Sequence, residues 1–144
     1  MANTDPIFSK VGDIQSNGAL LGSTATTAQD GTGTLYPVFQ ADATNGGFIQ
    51  KLIARPVSTT AATVMRVFLS SITGAWTGNT AADTWLIQEV TLAAVTVSQT
   101  AAANHIEVPL NFALPPGYRI VVSFGTSTGA GTTGYVVTGI GGKY

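Results

Sequence analysis

The chain has 144 residues with six basic and seven acidic side chains, and only 9% of it is charged, against about 25% in an ordinary soluble domain. This length predicts one domain, and the absence of cysteine excludes disulfides, thiolate metal ligands and a cysteine nucleophile. Scattered Lys and Arg residues do not favour nucleic-acid binding, and the longest apolar stretch, 86–97, is too short to cross a membrane as a helix.

Residues 1–18 differ from the rest in being polar, with four spaced apolar side chains: Ile7, Phe8, Val11 and Ile14. They have no basic region followed by an apolar run, so we expect no signal peptide. Free termini are usually disordered, but four apolar anchors also suit an extended arm that docks on a neighbour. We therefore divide the chain into an N-terminal arm, 1–18, and a single domain, 19–144.

The rest of the chain alternates apolar and polar residues with a period of two, which is typical of half-buried strands. Turn residues separate these runs, β-branched residues crowd them, and no segment has a capped helical stripe. We expect strands at about 19–28, 35–41, 48–54, 63–70, 84–97 (interrupted near Ala93), 106–112, 118–124 and 134–140. Many short strands at this spacing predict an all-β protein, a β-sandwich that resembles a jelly roll.

Two of these runs flank Pro115-Pro116-Gly117. A proline at the second position and a glycine at the third favour a type II turn, so we predict that 106–112 and 118–124 form a hairpin. Pro109 cannot donate a hydrogen bond to a sheet, which predicts that its strand lies at an edge or carries a bulge.

Two strands have large apolar residues on both faces. In 63–70, Phe68 lies opposite Met65 and Val67, and in 84–92, Trp85 and Ile87 lie opposite Leu86. Both faces of a strand cannot point into one core, so we predict an oligomer interface that contains Phe68, Trp85 and Ile87. Scattered surface hydrophobic residues are the alternative.

No catalytic, cofactor or metal site is expected. Gly129 to Gly134 matches G-x-G-x-x-G, but a strand follows it instead of the helix that dinucleotide binding needs. His105 is the only histidine, and Glu107 is its nearest carboxylate; such a pair at a strand start is usually a surface pair. We expect no enzyme activity.

Few charges also mean little repulsion between copies. The surface therefore suits a protein that neighbours cover, although a monomer of low charge is an alternative. The exposed aromatic residues Trp76 and Trp85 leave a carbohydrate-binding or tail-fibre recognition module open as a second function.

Several short segments resemble proteins encoded beside the head genes of tailed bacteriophages. They are Asn3 to Phe8, Asp30 to Gly33, Val38-Phe39, Met65 to Phe68, Leu114 to Tyr118 and Thr138 to Tyr144. The chain is similar to capsid decoration (cement) and auxiliary head proteins over nearly its whole length. The resemblance implies a homotrimer on the outside of the capsid, made in the host cytoplasm, that binds the major capsid protein and stabilises the particle against the pressure of packaged DNA.

Overall fold

The computed structural model describes residues 24–76, 82–128 and 134–144, and the backbone of residues 14–21. The described residues form strands and no helix, which confirms the prediction of an all-β protein. The eight strands are β1 (Ile14–Leu21), β2 (Tyr36–Gln40), β3 (Gly47–Pro56), β4 (Thr63–Ser70), β5 (Thr84–Leu92), β6 (Ile106–Leu114), β7 (Arg119–Phe124) and β8 (Tyr135–Lys143).

The strands form two four-stranded sheets that pack as a β-sandwich. Sheet A has the order β1-β8-β3-β6, sheet B has the order β2-β7-β4-β5, and every neighbouring pair is antiparallel. Only β4 and β5 are both consecutive in the chain and adjacent in a sheet, so every other connection passes from one sheet to the other.

The core between the sheets follows from the period-two pattern. In β8 the residues 135, 137, 139 and 141 are buried, whereas 136, 138 and 140 are half-buried. In β4 Met65 and Val67 face the same core, and their partners Phe124 and Val122 of β7 join them. Alternating residues therefore place one face of each strand in the apolar interior.

The predicted turn at Pro115 is present, but the predicted hairpin is wrong. Gly117 has a φ of 76°, and the Tyr118 amide donates to the Pro115 carbonyl at 3.1 Å, as a type II turn requires. The two strands then diverge, because β6 pairs with β3 whereas β7 lies between β2 and β4. All six residues of β7 are buried, which suits only an interior strand. Pro109 and the alternating exposure of β6 suit an edge.

The first strand also differs from the prediction. It begins at Ile14 and pairs in register with β8 from Ile14–Gly142 to Leu21–Tyr135. Residues 14–18 therefore belong to sheet A, although the sequence assigned them to the arm. Residues 24–28, which we expected to extend this strand, run outside both sheets.

The face of sheet B that points away from sheet A is covered by the chain itself. Residues 24–35, which we call the overlying segment, connect β1 to β2 across it. The Thr26 amide donates to the Phe124 carbonyl at 2.8 Å, and Arg66 Nη1 donates to the Thr26 carbonyl at 2.8 Å. Leu35 at the end of this segment packs with Phe68 and Val121 in a second apolar cluster. Sheet B therefore has apolar residues buried on both faces.

Candidate interaction surface

Trp85 and Ile87 are exposed on the edge strand of sheet B. Their exposed fractions are 46% and 40%, which places them among the four large hydrophobic residues that the described part of the chain exposes most. β5 pairs on one side with β4, and Ile87 falls at a register shift, between the pairs Phe68–Leu86 and Val67–Gln88. Ile87 is therefore the extra residue of a bulge in β5. These two residues remain a candidate contact surface.

Phe68 is the third residue of the predicted interface. The prediction that it lies at the surface is wrong, because its exposed fraction is 0%. It does face away from the inter-sheet core, as its alternation with Val67 predicts. Leu35 and Val121 pack against it, and Trp76 and Leu86 add partly buried contacts. The sequence therefore placed Phe68 on the correct face, but the cover comes from the same molecule, and Leu86 instead of Trp85 shares that face.

The predicted docking arm lies mostly outside the described residues. Ile7, Phe8 and Val11 belong to the part of the chain that the structure leaves undescribed, and Ile14 is the first residue of β1. Docking by these residues stays a prediction.

Four of the seven charged side chains on the strands form two compensated pairs. Lys51 Nζ lies 2.8 Å from Glu107 Oε1 on sheet A, and Arg66 Nε lies 2.8 Å from Glu89 Oε1 on sheet B. The hydrogen bond from Lys51 lowers the pKa of the Glu107 carboxyl, which therefore stays ionised into mild acid. Because opposite charges cancel within each pair, these pairs add little net charge to the protein surface.

His105 and Glu107 form a surface pair. His105 Nε2 lies 3.5 Å from Glu107 Oε1, and both side chains are about half exposed, at 54% and 47%. The nearest basic group on the carboxylate is Lys51 Nζ. A catalytic dyad needs a nucleophile or a substrate proton within reach of the base. What this exposed cluster contains instead is the ion pair between Lys51 and Glu107, with His105 beside it.

Two other sequence features have a structural role where the chain is described. Trp76, a candidate for sugar stacking, is half-buried, and its indole N–H donates to the Leu35 carbonyl at 3.2 Å. The G-x-G-x-x-G run lies outside the described residues except for Gly134, whose amide donates to Ser58 Oγ at 2.9 Å. β8 follows Gly134 directly, as the sequence predicted.

Arg119 is a buried cation that the sequence did not reveal, because its place in β7 looks like an ordinary outward position. Its guanidinium donates to the carbonyls of Thr73 and Gly74 and lies 5.8 Å from the Trp76 ring. Burial lowers the pKa of Arg119, and its Nε has no hydrogen-bond partner. These contacts fix the start of the β4–β5 connection against sheet B.

A shallow, open groove of about 410 Å³ lies at one end of the outer face of sheet B. Val64 and Arg66 of β4 and Thr91 of β5 line it, together with Gly125 and Thr126 beyond β7. It contains hydroxyls, apolar groups and the already paired Arg66, and no cluster of ionisable groups.

Among the described residues, no group of three or more His, Asp or Glu side chains is placed to hold a metal ion. In the same residues no helix has the length and apolar character needed to cross a bilayer. Comparison of the chain with protein-family models, with curated proteins and with solved structures finds no match.

Proposed function

We propose that this chain is a structural virion protein that decorates and stabilises a phage capsid by binding the major capsid protein. The observation that carries the proposal is the character of the surface: only 9% of the chain is charged, and four of the seven charged side chains on the strands are joined in ion pairs. A surface of this kind suits burial against other protein copies, because little charge must be desolvated on contact. The resemblance to decoration proteins supports the same function.

We also infer that the sandwich is a jelly roll. Consecutive strands alternate between the sheets except at β4–β5. In the orders β1-β8-β3-β6 and β2-β7-β4-β5, the two strands at the same position are always consecutive in the chain, as β1 and β2 are. This arrangement is what results when one long antiparallel ribbon folds over itself into two sheets. The jelly roll occurs in viral capsid and lectin domains, so the inference is compatible with the proposed function without requiring it.

The test compares particles of a phage that carries this gene with particles grown without it. We expect purified particles to contain the chain at a fixed number of copies per capsomer. We expect particles that lack it to release DNA at a lower temperature, and purified chain to restore the release temperature. A chain that is absent from purified particles would contradict the proposal.

The docking arm is tested with a deletion of residues 1–13, which leaves β1 intact. We expect the shortened chain to fold normally and to bind depleted particles more weakly. The matched control is Val57→Lys, a change at an exposed residue distant in sequence from the arm. Equal binding by the shortened and the full chain would contradict the docking arm alone.

A recognition module of a tail or fibre, which contacts a host glycan, is the second candidate, and the exposure of Trp85 favours it. Trp85→Ala is the appropriate variant, because the Trp76 indole holds Leu35 and its loss would disturb the fold. Binding of the wild-type chain to a glycan array that Trp85→Ala abolishes would support this candidate. An array without any signal would exclude the glycans tested.

A further inference from the structure

The free edge of β5 differs from the other sheet edges whose side chains the structure describes. β2 is only five residues long and contains Pro37 beside a register shift. β6 contains the exposed Pro109, and Asn111 in it has a φ of 53°, which interrupts the strand. Short length, proline and local kinks are the features that protect a sheet edge from pairing with another chain. Both β2 and β6 are therefore protected.

β5 has less protection. It is nine residues long and contains no proline, although the register shift at Ile87 divides it. On its free side every second residue presents its backbone N–H and C=O groups away from β4, as an antiparallel edge must. The segment from Gln88 to Leu92 is paired with β4 without interruption, and a strand of this length can accept another strand.

The charge on β5 is also compensated within the molecule. Glu89 is its only charged residue, and the carboxylate accepts from Arg66 Nε at 2.8 Å and from Gln29 Nε2 at 3.2 Å. Unpaired charges are a common means of keeping identical edges apart. Two copies of β5 can approach each other without bringing two uncompensated carboxylates together.

We propose that β5 pairs with β5 of a second copy across a two-fold axis, which joins the two B sheets into one continuous sheet. Trp85 and Ile87, exposed beside this edge, would lose solvent contact on pairing. An antiparallel strand pair is the same on both sides of a two-fold axis, so one surface serves both copies. This inference rests on the self-assembly part of the proposed function. It predicts a dimer, in contrast to the homotrimer that the family resemblance implies.

The contact is small. One strand with two large side chains falls below the roughly 1,200 Å² that stable interfaces bury, so the dimer should dissociate at low concentration. Copies held close together on a larger surface would pair more completely, because their effective concentration is higher.

The test is sedimentation equilibrium of the full chain over a wide range of concentration, with Ile87→Lys and Val57→Lys as a matched pair. Val57 is exposed to 47% but lies outside β5. We expect a monomer–dimer equilibrium for the wild type and Val57→Lys. We expect the dissociation constant to rise at least tenfold for Ile87→Lys, because pairing would bring a charged lysine into the contact in place of an apolar side chain. Thermal unfolding of each variant checks that the monomer is intact.

Hydrogen exchange provides an independent measurement. In the wild type, the β5 amides that point away from β4 should become more protected from exchange as the protein concentration rises. In Ile87→Lys, their protection should not change with concentration. A monomer at all concentrations, a trimer, or a dimer that Ile87→Lys leaves unchanged would overturn the β5 pairing. A chain that binds particles but stays monomeric would contradict this inference and leave the proposed function intact. A chain that forms a β5-dependent dimer but is absent from particles would support this inference and contradict the proposed function.

Discussion

The outer faces of the two sheets differ in what covers them. On sheet B, all six residues of β7 are buried, because the overlying segment and the start of the β4–β5 connection lie on them. On sheet A, the outward residues of β8 from Val136 to Ile140 are only half-buried. The two sheets share one core, but among the residues whose side chains are described only sheet B has a second apolar cluster on its other side. Apolar residues on the outward face of a strand therefore do not by themselves indicate contact between molecules.

The edge of sheet B shows where this cover ends. Leu86 of β5 packs against the second cluster. Trp85, which pairs with Leu69 of β4, and Ile87 at the register shift remain exposed. The same apolar pattern in the sequence thus divides into an intramolecular part, centred on Phe68, and a part that is free to contact another molecule. The predictions below test this division and the packing of the two sheets.

The largest effect is expected when the second cluster is emptied by Phe68→Ala. Removal of a fully buried phenylalanine side chain should lower the free energy of unfolding by about 3–5 kcal/mol. Ile87→Ala is the matched variant at an exposed site of the neighbouring strand, where a surface substitution should cost about 0.5 kcal/mol. Urea unfolding measures both. Equal midpoints for the two variants would mean that the cover on sheet B does not stabilise the protein.

A smaller effect is expected from Gly141→Ala in β8, where the β3 backbone and the Phe39 ring of sheet B both lie close. A Cβ atom there would clash with the Phe48 carbonyl oxygen and would lie 3.0 Å from the Phe39 ring. Because the carbonyl belongs to the backbone of the neighbouring strand, it cannot move aside without disturbing the β3–β8 pairing. Overpacking of this kind costs about 1–3 kcal/mol.

Gly74→Ala is the control for this substitution, since a Cβ atom at Gly74 meets no atom within 4 Å. Thermal unfolding should place Gly74→Ala near the wild type and Gly141→Ala several degrees below it. Similar melting temperatures for both variants would show that sheet A can relax around the added methyl group.

Local sequence patterns predicted most strands but not how they pair. The alternation in β4 and β8 gives their position and inward face, and Pro109 indicates an edge, because these features depend on neighbouring residues. The β6–β7 hairpin prediction failed because a type II turn is compatible with either one sheet or two. The choice depends on the fact that β7 is buried on both faces, and residues from 24 to 35, distant in sequence, provide one of those faces.

For the candidate surface, the sequence likewise identified the apolar residues but not which of them the chain itself covers. Trp85 and Ile87 are identified by the apolar character of both faces of their strand. Phe68 has the same signature, and only the position of Leu35 and Trp76 in space distinguishes it. The burial of Arg119 had no sequence signal, since its partners are backbone carbonyls, which any residue can offer.

The smallest effect is expected at the turn between β2 and β3, where residues 43–45 are exposed. Asp42 Oδ1 accepts hydrogen bonds from the amides of Asn45 at 2.9 Å and Thr44 at 3.0 Å. These bonds lower the pKa of the Asp42 carboxyl below its ordinary value of 3.8. The folded state therefore binds this proton less readily than the unfolded state. The resulting stabilisation is present above the unfolded pKa and is lost as the pH falls through the lower folded pKa.

Asp42→Asn removes the titrating group and retains a side-chain oxygen that can accept a hydrogen bond. We expect the difference in the free energy of unfolding between neutral and strongly acidic solution to be smaller in this variant than in the wild type. Some acid dependence should remain, because the pKa values of Asp30 and Glu107 are also lowered. Urea unfolding at a series of pH values measures the difference. An unchanged pH dependence would mean that Asp42 makes equivalent bonds in the unfolded chain, so that the turn forms before the sheets it connects.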